Sequence, residues 1–547
     1  MNRAVADRVP ASASPRPDVA EPPPSRREAA ASRAPLRPRL FVGLGVLGIM
    51  ALSLVLKLEG QRVWYWIDEG LSVGISSHPV RAIPSLLRED GNPPLYYLLL
   101  HFWMRLFGTS EVHTHALSLV FAVATAGAAF WAGRSLFGRR AGWIAALLAA
   151  TNPYITFYSR ETRMYSLLIL LGVVVSATFL HVFAYRRRQY LPAFVVSLAL
   201  FLYTHNWAIF VTVGLVVAVA LCLALGWDRK GVARDAAIGF GAAFLLYAPW
   251  LPTLLEQVRL TGAPWAHRPI LRLSVSAVGL MLGDERITVV LFLAAGAGLA
   301  ATMKKVRSGD SMAAFSIVTI FMVSLASAWA VSQVKPAWAD RYFGALVASV
   351  LVLAALGLSR AGRLGLVGLV MILVFWTKPL ARVAGIRTTP KLNEKSNAKL
   401  VASIFGSWLS PPDLVVSAQM EQVPSLNLYL ARPGLRYATP MGPVADPAMA
   451  DWRRATQRMG AATPEKNLMP LVKDLPVGHH VLLACPRVFT TSKDLAWFRY
   501  MDHRCRDWRE ALSADPSFQL LAGPAPPLET GQPGTSMFGM LYLKVAP

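Results

Sequence analysis

The chain has 547 residues, of which 54% are hydrophobic and 16% charged, with a formal net charge of +24 and a mean hydropathy of +0.43; it is too apolar for a soluble globular protein of this size. Arg and Lys fall in short bursts between apolar runs instead of forming one basic face, which excludes a nucleic-acid partner and fits the positive-inside loops of a polytopic α-helical membrane protein. Three cysteines allow one disulfide, between Cys485 and Cys505, if the C-terminal region is extracytoplasmic, while Cys222 lies in an apolar run and reads as a small buried thiol.

Residues 1–38 hold eight prolines and seven arginines. They predict a disordered cytoplasmic tail that keeps the first span N-in, with no cleavable signal peptide ahead of the first apolar run at Leu40. Candidate spans follow at 40–58, 94–133 (interrupted), 142–157, 166–184, 190–203, 207–226, 236–252, 287–303, 312–332, 342–358 and 364–380. With 94–133 taken as a bent pair making one net crossing, the transmembrane domain over 39–380 has about eleven helices, within a range of ~9–13. The bursts Arg134/Arg139/Arg140, Arg186–Arg188, Arg229/Lys230/Arg234, Lys304/Lys305/Arg307 and Arg360/Arg363 then all fall on the cytoplasmic side.

The loop over 59–93 carries Val80, Ile83, Leu86 and Leu87 at helical spacing among charges, which predicts an amphipathic helix on the membrane surface. Beyond residue 380 prolines, charges and short apolar runs (DLVVSA, HHVLLAC, FGMLYLKV) predict a separate soluble α/β domain over 395–547, also extracytoplasmic.

Under this topology the unusual polar clusters share one membrane face: Asp68/Glu69, Asp90/Asn92, the run YSRETRMY with Arg160, Glu161, Arg163 and Tyr165, His205/Asn206, and Asp340/Arg341. Acids and cations converging there suit a reaction between a lipid-linked anionic donor and an extracytoplasmic acceptor. A carboxylate such as Asp68 can take the acceptor hydroxyl's proton, and Arg160, Arg163 and Arg341 can hold a departing phosphate. Asp68 and Glu69 read equally well as acids capping the following helix. Glu111, His113 and His115 look like metal ligands but lack a second ligand cluster; the sequence identifies no cofactor, and a divalent metal ion stays open.

The ordered series IDEG, GNPPLYYLLLHFWMRLFGTSE, YSRETRMYSLLIL, LYTHNW, YAPWLPTLLEQ with GAPW, and WADRYF resembles the bacterial family 39 glycosyltransferases of the GT-C fold, relatives of protein O-mannosyltransferases and aminoarabinose transferases. The likeness is dense over about residues 62–266, thins towards 358, and leaves the C-terminal region outside. It implies catalysis at Asp68, the base towards the acceptor, with Glu69 beside it. It implies a lipid-phosphate site at Arg163 and Tyr165, with Glu161 matching the family's acid; Arg160 and Arg341 as further phosphate contacts, and Asn92 and His205 as supporting residues, come from their places in the polar clusters. Asn92 stands where relatives often carry His or Lys before Pro-Pro, and Arg160 where Gln is common. The resemblance implies transfer of one sugar, with inversion, from a polyprenyl-phosphate donor to an envelope glycan, lipid or protein acceptor at the outer side of the bacterial inner membrane. Alternatives are a polyprenyl-diphosphate glycan ligase or polymerase, a lipid or polysaccharide transporter, and a membrane scaffold.

Overall fold

The structure, a computed structural model, describes residues 36–226, 228–304, 308–383, 396–488, 494–526 and 534–547; most of the expected N-terminal tail, residues 1–35, lies outside the described residues. Seven described helices are long and apolar enough to cross a membrane: Leu40–Leu58, Glu111–Phe137, Tyr165–Ala184, Arg229–Leu260, Glu285–Met303, Gly309–Val334 and Asp340–Arg360. Shorter apolar helices, Arg188–Leu202, Ala208–Ala224 and Gly362–Thr377, accompany them. The chain divides into two compact units, Met1–Gly45 and Val46–Pro547. The second carries both the membrane helices from residue 46 onward and the C-terminal sheet.

Several expectations are refined by where polar side chains interrupt the helices. The stretch 94–133 becomes two helices, Leu95–Phe107 and Glu111–Phe137, separated at Gly108. The first has 13 residues and so rises about 20 Å, short of a full crossing. The expected span 142–157 breaks at Asn152, whose Oδ1 accepts from the Ile155 amide at 3.0 Å and whose Nδ2 donates to the Met281 carbonyl at 3.0 Å; Pro153 starts the next helix. That carbonyl belongs to helix Leu271–Leu282, which the sequence reading leaves partly as loop. Lys57, 1% exposed at the end of the first span, donates to Ser53 Oγ at 2.9 Å and to the Ala150 carbonyl at 2.6 Å. The second of these bonds satisfies a free carbonyl at the end of helix Arg139–Thr151.

The loop over 59–93 is not a surface feature. It folds into helices Ile67–Ser76 and Ile83–Asp90, and the apolar face of the second points into the protein, with Ile83 and Leu87 fully buried. Its partner is protein instead of lipid: Gln257 Nε2 donates to the Leu87 carbonyl at 2.9 Å.

The C-terminal region forms a six-stranded sheet of β1 (Leu414–Ser417), β2 (Arg436–Thr439), β3 (Gly442–Val444), β4 (His480–Pro486), β5 (Phe518–Ala525) and β6 (Met537–Lys544), in the order β3-β2-β1-β4-β6-β5. β1 runs parallel to β2 and β4, and the remaining pairs are antiparallel. Alternation explains why β1 is buried throughout: Leu414 and Val416 face a core shared with Trp508 and Leu512 of helix Ala496–Ala514, while Val415 faces Val401, Phe405 and Leu426 on the other side. A Cys485–Cys505 disulfide ties β4 to helix Ala496–Ala514.

This sheet layer does not stand apart from the membrane helices. Tyr429 Oη accepts from the Tyr65 amide at 2.7 Å, Lys399 pairs with Glu111 at 2.9 Å, and His78 meets Asp446 at 2.9 Å. Helix Ile67–Ser76 turns two glycines towards it: a Cβ on Gly70 would stand 2.3 Å from Ser425 Oγ, and one on Gly74 only 2.0 Å from the Ala448 carbonyl oxygen. Because a backbone carbonyl cannot swing aside, Gly74→Ala should lower stability by roughly 1–3 kcal/mol. Gly241→Ala, with nothing within 4 Å of its added Cβ, should not. Thermal unfolding of the two variants in detergent checks this, and equal midpoints would show that the domain contact yields freely.

Candidate functional site

Helix Ile67–Ser76 sets the site by dividing the work of its two acids. Glu69 is fully buried. Its Oε2 caps the helix by accepting from the Trp66 amide at 3.2 Å, and its Oε1 accepts from the Thr162 amide at 2.7 Å and contacts His115 Nε2 at 2.7 Å. His115 Nδ1 lies 2.8 Å from the Gln61 carbonyl, which only accepts, so Nδ1 carries a proton. The contact with Glu69 is then either imidazolium to carboxylate or imidazole to carboxylic acid, and both are neutral overall. The capping role left open for the pair thus belongs to Glu69, a positioning residue behind the site.

Asp68 faces the other way, with its side chain 20% exposed, Arg163 Nη2 3.9 Å and Arg341 Nε 3.7 Å from its Oδ2. Arg163 Nη1 donates to Ser72 Oγ at 2.9 Å, to the Asp68 carbonyl at 3.2 Å and to Tyr97 Oη at 3.2 Å. Arg341 lies over the rings of Trp265, Tyr342 and Trp66 at 4.5, 5.4 and 5.6 Å. The Nε of each arginine is buried without a hydrogen-bond partner among the described residues, so both keep donor capacity for an anion.

These groups border a cavity of about 310 Å³ that also takes in Asp90, Asn92, His205 and Lys335. One side is apolar, with Phe210, Leu254, Val258 and Val331. Burial pulls His205 down to a pKa of about 3, with help from the charges of Arg163 and Arg341. The ring is therefore neutral, and because its Nδ1 accepts from the Trp207 amide at 3.0 Å, its proton sits on Nε2. Burial pushes Asp90 up to about 6, partly offset by the Asn92 hydrogen bond and the Arg163 charge.

Of the residues marked by sequence, the structure brings Asp68, Asn92, Arg163, His205 and Arg341 to one cavity. Tyr165 sits behind them, its ring 5.9 Å from the Arg163 guanidinium and 6.0 Å from the His205 ring. Arg160 does not line the cavity; it is buried among the charges of Glu161 and Glu69, over the Phe157 ring. Glu161 borders a neighbouring cavity of about 470 Å³ with Trp66, Asp340 and Arg341. Lys335, Gln257 and Trp452 line the main cavity without having been singled out. Lys335 could have been found, since it follows a span and precedes WADRYF; Trp452 belongs to a stretch that carries no motif.

Glu111, His113 and His115 face separate partners, Lys399, Ser110 and Glu69. Among the described residues no group of three or more His, Cys, Asp or Glu could hold a metal ion.

Residues 91–252 match the family model of dolichyl-phosphate-mannose-protein mannosyltransferases. No curated protein matches the chain in sequence. Among solved structures, ArnT from Cupriavidus metallidurans is similar in its apo state (TM-score 0.61, 13% identity, 93% of this chain and 100% of that one). The same protein bound to undecaprenyl phosphate gives a TM-score of 0.59 at 14% identity, over 92% of this chain and 98% of that one. The Archaeoglobus fulgidus oligosaccharyltransferase in complex with Zn and sulfate matches with a TM-score of 0.51 at 14% identity, over 89% of this chain and 73% of that one. At such identities the likeness speaks to architecture: the chain has the GT-C fold.

Asp90 provides a pH test. Its folded pKa of about 6 lies above the ordinary aspartate value of 3.8, so folding takes up a proton between those values. The stability carried by the protonated form is present below about pH 4 and lost as pH rises through 6, to the extent of roughly 3 kcal/mol. Asp90→Asn stays neutral, so its thermal midpoint relative to the parent should climb between pH 4 and 6 and then level off. A difference independent of pH would mean that Asp90 is solvated.

Proposed function

We propose that the chain is a membrane glycosyltransferase that moves one sugar, with inversion, from a polyprenyl-phosphate donor to a cell-envelope acceptor. The observation that carries this is Asp68, set between the guanidinium groups of Arg163 and Arg341 at a cavity whose lining is partly apolar. A lipid-linked phosphate has the same three parts: a polyprenyl chain for Leu254, Val258 and Val331, an anion for Arg163, Arg341 and Lys335, and a reacting carbon beside the carboxylate. The family model names dolichyl-phosphate-mannose as its members' donor, and ArnT binds undecaprenyl phosphate; both support this reading.

The acceptor hydroxyl gives its proton to Asp68 as its oxygen bonds to the anomeric carbon. The bond from that carbon to the phosphate oxygen breaks, and its electron pair leaves with the phosphate. Arg163 and Arg341 hold the charge that develops there, in a partly dry setting where such bonds are strong. His205, held neutral, adds no competing charge.

Asp68→Asn keeps the shape and removes the basicity. In a deletion strain complemented with the variant, mass spectrometry of envelope glycans should show a loss of transfer of about 10²-fold or more, while the purified variant still binds undecaprenyl phosphate. Arg163→Lys should bind that lipid weakly and Arg163→Ala hardly at all, because lysine supplies charge without the fork. Full transfer by Asp68→Asn would remove Asp68 as base.

The site is assigned to the outer face of a bacterial inner membrane, with the N-terminus cytoplasmic. The alternation of basic loops supports this, as does the disulfide Cys485–Cys505, which belongs to an oxidising compartment. After mild reduction of intact cells, a membrane-impermeant maleimide should label Cys485 or Cys505. Labelling only in permeabilised cells would invert the topology.

A further inference from the structure

One end of the main cavity is built from hydrogen-bond acceptors. Asp90 Oδ1, Asn206 Oδ1 and Gln257 Oε1 are all buried without a hydrogen-bond partner among the described residues, and all three residues line the cavity. Each is fixed by its other half: Asp90 Oδ2 accepts from Asn92 Nδ2 at 2.6 Å, Asn206 Nδ2 donates to the Gly91 carbonyl at 2.9 Å, and Gln257 Nε2 donates to the Leu87 carbonyl at 2.9 Å. Buried acceptors left open are costly unless a ligand brings donors. An ionised phosphate has none to give. Sugar hydroxyls have several.

The C-terminal domain completes this end with a strap, Asp451–Arg454, that joins the two walls. The Trp452 amide donates to the Glu89 carbonyl at 3.1 Å, Arg453 pairs with the Glu89 carboxylate at 3.0 Å, and the Arg454 amide donates to the Leu260 carbonyl at 2.9 Å. Arg454 has φ +49°, a left-handed conformation that a non-glycine residue keeps where its surroundings impose it. The strap sets Trp452 in the cavity lining, with Trp497 behind it at 5.6 Å between ring centroids. An indole face beside open acceptors matches a pyranose or furanose, which has an apolar C–H face and a hydroxyl edge.

We propose that Asp90, Asn206, Gln257 and Trp452 form the subsite for the donor's sugar, so that the C-terminal domain supplies a specificity-determining residue through Trp452. This rests on the donor reading of the cavity given above. The sugar extends from the phosphate into this end. Arg163, Lys335 and Arg341 bind the phosphate whether or not a sugar is attached.

The test measures binding of bare undecaprenyl phosphate and of undecaprenyl phosphate carrying mannose, glucose, arabinofuranose or aminoarabinose to the purified full chain in nanodiscs. The parent should bind at least one sugar-bearing lipid tenfold or more tighter than the bare one. Trp452→Ala should lose that excess while keeping its affinity for the bare lipid, and Trp452→Phe, which retains the ring, should keep part of it. Gln257→Met, outside the strap, should also lose much of the excess, which guards against a folding effect at residue 452. Failure of the parent to bind bare undecaprenyl phosphate would sink the donor reading itself. Binding of the bare lipid with no sugar-bearing lipid favoured, or an undiminished excess in Trp452→Ala and Gln257→Met, would overturn the sugar subsite alone. So would a parallel loss of bare-lipid affinity in Trp452→Ala, since the strap would then be merely structural.

Discussion

The contact between Glu69 and His115 takes a carboxyl group and a histidine ring wholly out of water, and the pair is tolerated there because it is neutral overall and Glu69 also accepts from the Trp66 and Thr162 amides. Adjacent residues on a helix point about 100° apart. Once Glu69 is committed to His115 and the Thr162 amide, Asp68 must therefore face away from them, into the cavity. The Thr162 amide also ties the YSRETRMY segment to the same carboxylate, and Arg163 follows one residue later. One buried pair thus fixes the places of both Asp68 and Arg163.

The second constraint is steric. A helix that carries a reacting group on one face needs backing on the other. Here Gly70 and Gly74 let the backbone of the Val423–Leu430 helix and the Ala448 carbonyl approach as closely as atoms allow. Tyr429, reaching the Tyr65 amide just ahead of the helix, adds a directional bond to that contact. The C-terminal sheet is therefore part of the scaffold of the site, although no motif in it suggests so.

Periodicity and charge alternation made the membrane helices legible, and apolar four- to eight-residue runs marked β1, β4 and β6. The edge strands β3 and β5 escaped because exposed or mixed residues blur the alternation, and the inner strand β2 because its four residues, RYAT, form no apolar run. Asp68, Arg163 and Arg341 could be named because each lies in a motif beside a span end. Arg160 could not be separated from Arg163 by sequence, since which of two nearby arginines reaches a cavity depends on how the turn after Tyr158 winds. His115 is a different case: the lack of a second ligand cluster argued against a metal, but its partner Glu69, 46 positions earlier, could not be read from spacing. Trp452 was out of reach, because its importance comes from contacts with residues hundreds of positions earlier.

That separation matters for how the molecule comes into being. The strap at Asp451–Arg454 and the backing at Ser425 and Ala448 leave the ribosome long after helix Ile67–Ser76, by an interval on the order of tens of seconds at usual elongation rates. Throughout that time Glu69 already has its partners His115 and Thr162 from the first third of the chain, so its charge is never stranded, while the cavity lacks its last wall. A truncated chain would hold Asp68 and its two arginines but no finished chamber, so completion of synthesis is the step that closes the cavity.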